Sequence, residues 1–461
     1  MKNITELSFA LGLCAVAMPG IVFGAPKKAA KEAPGQKPNV LLIMTDQQTA
    51  TAMSCAGNLD IHTPNMDRLA QNGVRFDNAY CASPLSTPSR ASMVTGYMPS
   101  QINALENGIK IPADILPESM GFLMGSAGYE CFYGGKWHVP GSNIGHDQGF
   151  TRIAPMNDLI LADKCIETIN ADHEKPFFMV ASFLNPHNIC QEARWEVLSL
   201  GEVDRPDPGK LPNLPKNFEP APFEPDIIRF WQSQNFYMYP VADYTPDQWR
   251  MYRHVYFRLV EKVDAEIGRI FDALDAKKLT DNTIIIFVSD HGDGMGAHKW
   301  NQKTVLFEEA VNVPFIVSVP GNKANGRVAS QLVCTGTDLI PTLCDIAGIA
   351  APAKLSGKSL MPVVRGSEEQ VHEAVVVENP FVIRPHFSAW AVRTTNYKYM
   401  VYGAGRYREQ LFDMRTDRLE QQNLAIEDRY SEILNQHRKI LREYGERLKD
   451  KNIDRYVPMA E

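Results

Sequence analysis

Three features of the sequence predict an α/β fold: a large, mostly parallel or mixed central sheet flanked by helices. Continuous apolar runs have strand length, polar residues stand where those runs stop, and helical patterns lie between them. The first run, "NVLLIM" (39–44), ends in Thr45, Asp46 and Gln47. An unbroken apolar run reads as a strand buried on both faces, as in parallel sheets. "NTIIIFVSDHGD" (282–293) repeats the design and ends in Asp290 and His291. Ligands in open α/β sheets bind beyond the carboxyl ends of the strands, so these two tips are expected to be neighbours.

Between them, "FFMVASF" (177–183) reads as a further strand, and 116–128 and 247–276 read as helices. Residues 191–245 are rich in Pro and aromatic residues and read as a long ordered loop of the kind that often carries function. A helix is expected over 337–349, ending at Gly348. The pattern then shifts to short strands at 374–378, 390–395, 397–402 and 409–414, closed by an amphipathic helix from Ser431 to Lys449. The expected organisation is a catalytic domain over 39–365 and a smaller α+β subdomain with an antiparallel sheet over 366–461.

With 461 residues, 44% hydrophobic and 22% charged, the chain is an ordinary globular one, neither disordered nor fibrous. A net charge of -7 argues against nonspecific nucleic-acid binding, so an anionic ligand must be captured by local positive charge. Residues 1–24 read as a signal peptide and 25–38 as a polar linker, which predicts a secreted, periplasmic protein. Pro19 and Gly20 interrupt the apolar part, so no stable membrane span is expected; Cys14 follows Leu13, a poor lipoprotein context. The other cysteines, at 55, 81, 131, 165, 190, 334 and 344, form no CxxC pair and no disulfide framework.

Chemistry-bearing residues cluster at the ends of apolar runs. In "SPLSTPSRASMVTG" (83–96), Thr87 suits a helix N-cap and Pro88 the first helical position, which puts Ser86 at the positive end of a short helix. An ordinary capped surface helix reads the same way. The remaining clusters are Asp46 with Gln47, Arg90, Lys136 with His138, His187, Asp290 with His291, and His298 with Lys303. Oxygen ligands from Asp46, Gln47 and Asp290 suit a hard cation such as calcium. Arg90, Lys136 and Lys303 suit a tetrahedral oxyanion. Singly, each lysine also reads as surface and each histidine as a packed loop residue, but the ordered series describes a metal and an anion sharing one pocket. No Walker loop competes, because "LSGKSL" has Pro352 where the earlier glycine belongs.

These residues resemble the formylglycine-dependent sulfatases of the alkaline phosphatase superfamily. The family signature is Cys or Ser, any residue, Pro, Ser, Arg, then four residues and Thr-Gly; residues 86–96 reproduce it from Ser86 to Gly96. "HTPNMDRLAQNGVRFDNAY" (62–80), "GYECFYGGKWH", "SDHGD", "KTVLFEEAVNVPFIV" and "LFDMRTDRLEQQNLA" extend the resemblance over nearly the whole chain, least between 191 and 245. It implies that Ser86 is oxidised to Cα-formylglycine by a radical-SAM maturating enzyme. One hydroxyl of the hydrated aldehyde then attacks sulfur, and deprotonation of the other expels sulfate by C–O cleavage.

By the same resemblance, Asp46, Gln47, modified Ser86, Asp290 and His291 are ligands of one calcium ion, and Arg90 holds the formylglycine hydroxyl. Lys136, His187 and Lys303 surround the sulfate, and His138 is the base of the elimination step. His187 is the first candidate for general acid and His298 the second. Gln47 stands where a second Asp is frequent, His291 where Asn is frequent, and Ile189 where a proline is usual. The resemblance further implies an exo-acting carbohydrate sulfatase, with glycosaminoglycan-derived saccharides as first expectation. Arg384, His386, Arg406, Asn107 and the aromatic residues of 191–245 are candidate sugar contacts. A phosphonate or phosphodiester hydrolase of the same superfamily is the rival enzyme class. A noncatalytic sulfated-glycan-binding protein with unmodified Ser86 is the rival outside enzymes.

Overall fold

A strand buried along its whole length lies at the centre of the molecule: β1 (Asn39–Asp46) has every residue buried. The computed structural model describes residues 37–459 except 109, 111, 140–147, 382 and 383. The expected leader (1–24) and the linker up to residue 36 lie outside the described residues. The other strands of the large sheet are β2 (Val74–Tyr80), β3 (Glu130–Gly135), β4 (Thr151–Ala154), β5 (Phe177–Pro186), β6 (Thr283–Ser289), β7 (Phe315–Ser318) and β8 (Arg327–Cys334). Their order is β4-β3-β5-β1-β6-β7-β2-β8. Only β7 runs antiparallel to its neighbours β6 and β2, so the sheet is mixed and mostly parallel, as expected.

Side-chain alternation divides β1 between two helical layers. Val40, Leu42 and Met44 enter a core shared with α2 (Ser86–Thr95), α3 (Met120–Ser126) and α9 (Thr335–Ala347). Leu41 and Ile43 enter a second core with α1 (Pro64–Gln71), α4 (Asp158–Asn170) and α7 (Pro246–Ala276). β9 (Ala374–Asn379), β10 (Ala389–Thr394), β11 (Tyr397–Tyr402) and β12 (Glu409–Asp413) form the expected antiparallel sheet, with α11 (Ser431–Leu448) beside it. Val377, Trp390 and Leu441 of this region share a third core with Tyr80 and Leu332 of the large sheet. Among the described residues, no helix is long and apolar enough to cross a membrane.

Three expectations need correction. The helix expected over 116–128 is divided into a 3-10 turn, Leu116–Glu118, and α3. The stretch 191–245 carries the end of α5 (Ile189–Ala193) and a second helix, α6 (Asp226–Gln234), which buries Ile227 and Ile228. Helix α2 begins at Ser86, with Leu85 and not Thr87 at its N-cap. The reason is non-local: the side-chain oxygen of Asn107 accepts the Thr87 N–H at 3.0 Å and does the capping from another part of the chain.

Candidate active site

Register brings the two acidic tips together. β1 and β6 are parallel neighbours with Met44 opposite Val288 and Thr45 opposite Ser289, so Asp46 and Asp290 emerge side by side. The Gln47 N–H donates to Asp290 Oδ1 (3.0 Å), which ties one tip to the other. Gln47 itself is in the left-handed region (φ 71°). The Tyr256 hydroxyl, donating to the Gln47 carbonyl at 2.7 Å and accepting the Thr49 N–H at 2.9 Å, holds that turn in place.

Helix α2 is buried at every position, which its run of small residues permits. Ser86, in its first turn, lies with Oγ 2.9 Å from His291 Nε2. His291 Nδ1 is 3.0 Å from the Gly292 carbonyl, so that nitrogen carries the proton and Nε2 presents a lone pair to Ser86. Burial pushes the His291 pKa down to about 4, which keeps the ring neutral.

One helical turn on, Arg90 clamps the site. Its Nε donates to Asp290 Oδ2 (2.8 Å), Nη2 to Asp46 Oδ2 (3.0 Å), and Nη1 to the Lys136 carbonyl and Ser182 Oγ (both 2.9 Å). The Lys136 ammonium is also paired with Asp46 Oδ2. Burial would raise the Asp46 pKa, but Lys136, His187 and Arg90 hold it well below the usual carboxylate range. Burial lowers the pKa of Lys136. Lys303 Nζ donates to Gln47 Oε1 at 2.8 Å. The basic side chains of Arg90, Lys136 and Lys303 converge around Ser86, an arrangement suited to an anion.

The structure thus brings together Asp46, Gln47, Ser86, Arg90, Lys136, Asp290, His291 and Lys303. His187 follows β5, is half-buried, and has its pKa lowered by burial and then by Lys303 and Lys136. His138, solvent-accessible with φ 57°, borders Thr87 of α2; partial burial and the Lys136 charge bring its pKa to about 4. His298 lies elsewhere, against expectation. Its buried ring stacks on Phe307 (centroids 3.9 Å apart), and Nε2 accepts from Asn217 Nδ2 at 3.3 Å. It groups with Glu309 and Glu420, separately from Asp46, Asp290 and His291. Asn107 caps α2 through its side-chain oxygen, while Arg384 and His386 are exposed beside Phe387.

Sequence reasoning missed Asp293. Its buried carboxylate accepts from Gln47 Nε2 (2.7 Å), the Tyr252 hydroxyl (3.0 Å) and the Met295 N–H (2.8 Å). These bonds turn the Gln47 amide so that its oxygen faces Lys303. "SDHGD" contained the residue, but only the fold brings Tyr252 and Gln47 to it. Cys190 was missed too: its thiol lies 3.2 Å from Gln302 Oε1 and 3.7 Å from Gln47 Nε2.

A divalent cation fits this donor set. Asp46, Asp290 and His291 each offer a ligand atom within 4.8 Å of the others. Asp46 Oδ1 is buried and lacks a hydrogen-bond partner, a costly state for a carboxylate oxygen that a cation would relieve.

A buried hydroxyl among buried cations at the strand ends of an α/β sheet defines a hydrolase of anionic esters. The chain belongs to the sulfatase family, whose profile, described as "Sulfatase", matches residues 38–349, and is a sulfuric ester hydrolase. A second profile, "N-sulphoglucosamine sulphohydrolase, C-terminal", matches 296–447. The chain is 34% identical over 448 residues to the Delta 4,5-hexuronate-2-O-sulfatase of Bacteroides thetaiotaomicron, covering 90% of each chain. A solved 2-O glycosaminoglycan sulfatase aligns with TM-score 0.80 and 32% identity over 92% of this chain and 95% of that one. The phosphonate monoester hydrolase of Agrobacterium radiobacter (TM-score 0.73, 21% identity, 90% and 96% covered) shares the fold.

Proposed function

We propose that the chain removes sulfate from the 2-O position of a hexuronate at the end of glycosaminoglycan-derived saccharides, after export and after conversion of Ser86 to formylglycine by a radical-SAM maturating enzyme. The observation that carries this reading is the meeting of Ser86, His291 and the Arg90-clamped pair Asp46 and Asp290 beside Lys136 and Lys303. The substrate position is supported by similarity to the hexuronate-2-O-sulfatase. Residues 39–365 would carry the chemistry and 366–461 would complete the fold around it.

Asp46, Gln47, Asp290, His291 and residue 86 would hold one calcium ion, which when bound supplies Lewis-acid polarisation and charge neutralisation. Hydration of the formylglycine supplies the attacking hydroxyl. The chain's own residues do the rest. Arg90 orients residue 86 and the two aspartates, and Lys136 and Lys303 offset charge on the sulfate oxygens. His187 gives a proton to the leaving sugar oxygen; the negative charge of the bound sulfate ester opposes the two lysines that, after burial, lower its pKa, which favours the protonated ring as substrate binds. His138, neutral by its pKa near 4, takes a proton from the second hydroxyl of residue 86.

Mass spectrometry of the Ser86 peptide, isolated from an anaerobic host that carries the maturase, tests the modification: conversion removes about two mass units, the two hydrogens lost in alcohol oxidation. Turnover of 2-O-sulfated uronate disaccharides, against 6-O-sulfated glucosamine and phosphate or phosphonate esters, tests the substrate. Preference for a phosphonate ester would establish the rival enzyme class. Saccharide binding without turnover by protein whose Ser86 stays unconverted in that host would establish the noncatalytic one.

A further inference from the structure

We propose that Trp195 and Tyr237 form a binding subsite for the sugar ring adjacent to the sulfated one, so that oligosaccharides are preferred to a sulfated monosaccharide. This rests on the saccharide-sulfatase reading above. Large aromatic side chains are usually much buried, yet Trp195 is 67% and Tyr237 71% exposed.

These rings are anchored to the catalytic pocket. Trp195 closes the turn after α5, which starts two residues beyond His187, and Cys190 of α5 contacts Gln302. Next to Tyr237, the Met238 carbonyl accepts from Gln302 Nε2 (2.5 Å) and Asn301 Nδ2 (3.3 Å), and the Tyr239 hydroxyl donates to the Lys303 carbonyl (3.1 Å). Both aromatic segments are therefore fastened to the loop whose Lys303 enters the pocket.

The rings are also held in place. The Arg194 guanidinium lies over Tyr237 at 5.0 Å from the ring centroid and is itself gripped by both oxygens of Glu196 (2.8 and 3.0 Å). Trp195 packs on Tyr244 at 5.5 Å, whose hydroxyl donates to the Ala193 carbonyl. One side of each of these two rings is occupied and much of its surface remains open, the preorganised face on which the C–H face of a pyranose stacks at little entropic cost.

Direction points to the same occupant. His187 faces the leaving oxygen, so the sugar half of the ester lies on the His187 side, and the chain runs from His187 through α5 to Trp195. One ring-bearing segment follows His187 in the chain and the other is bonded to the Lys303 loop, and this is the basis for assigning the rest of the saccharide to them.

The test compares Trp195→Ala and Tyr237→Ala with the parent on a 2-O-sulfated uronate monosaccharide, a disaccharide and a tetrasaccharide. We expect KM for the two longer substrates to rise about tenfold per ring removed, with kcat retained and the monosaccharide unaffected. Trp195→Phe and Tyr237→Phe should restore most of the effect. Equal losses on all three substrates, or none, overturn the proposal. Calorimetric titration of the unmodified Ser86 protein with the same disaccharide and monosaccharide reads the subsite without turnover. Tighter disaccharide binding that depends on Trp195 and Tyr237 supports it even if catalysis fails, and ring-independent binding overturns it even if catalysis succeeds.

Discussion

Asp293→Asn is the substitution that most directly tests how position 47 is oriented. Asp293 Oδ1 accepts from Met295 N–H and Tyr252, and Oδ2 from Gln47 Nε2 and Tyr252. An asparagine that keeps its oxygen toward Met295 places an NH2 group where Oδ2 stood, 2.7 Å from Gln47 Nε2. Two donors then oppose each other, and rotating the Gln47 amide only moves its NH2 against the Lys303 ammonium, which now donates to Gln47 Oε1 at 2.8 Å. Either arrangement loses one charge-assisted hydrogen bond and strands a buried polar group, about 2–3 kcal/mol. Partners that orient metal ligands typically carry 10- to 100-fold in affinity or activity. The assay is calcium affinity by titration alongside kcat/KM on a 2-O-sulfated disaccharide, in samples whose Ser86 conversion has been quantified. Tyr252→Phe, which keeps the carboxylate and removes one of its donors, should cost about 1 kcal/mol and less activity. If Asp293→Asn keeps both quantities within twofold of the parent while Gln47→Ala loses them, orientation by Asp293 is refuted.

Other outcomes follow from the same structure. Saturating calcium should raise the midpoint of thermal unfolding and a chelator should reverse it, since a ligand at 100 times its Kd stabilises by about 2.7 kcal/mol; no calcium response would count against the cation site. Lys303→Ala should lower kcat/KM by about 10²–10³ at unchanged Ser86 conversion, read by steady-state kinetics. Glu378, buried and bonded to Ser100 and Tyr444, has its pKa raised from 4.5 to about 7 by burial. Between those values the folded state keeps a proton that the unfolded state has released. Its contribution is therefore full below about pH 4.5 and is lost as pH rises through 7, about 3 kcal/mol in all. Glu378→Gln should flatten that part of the stability profile in denaturant titrations from pH 5 to 8, and an unchanged slope would refute the assignment. Asn107→Ala should weaken the start of α2 by about 1 kcal/mol, seen as faster amide exchange at Thr87.

The strands at 39–44 and 283–289, the long helix after 246 and the antiparallel C-terminal sheet were all legible from the order of residues. Each depends on side-chain periodicity, a property of neighbours along the chain. The composition of the pocket was legible for a related reason: strand ends in such sheets meet ligands, so acids and bases placed there stand out. What only the tertiary structure decided involves partners far apart in sequence. The Asn107 oxygen starts α2, Asp293 with Tyr252 turns the Gln47 amide, and His298 stacks on the Phe307 ring. Hydrogen bonds and ring contacts of this kind depend on atoms meeting within a few ångströms. Such meetings are set by how helices and strands pack, which local patterning leaves open.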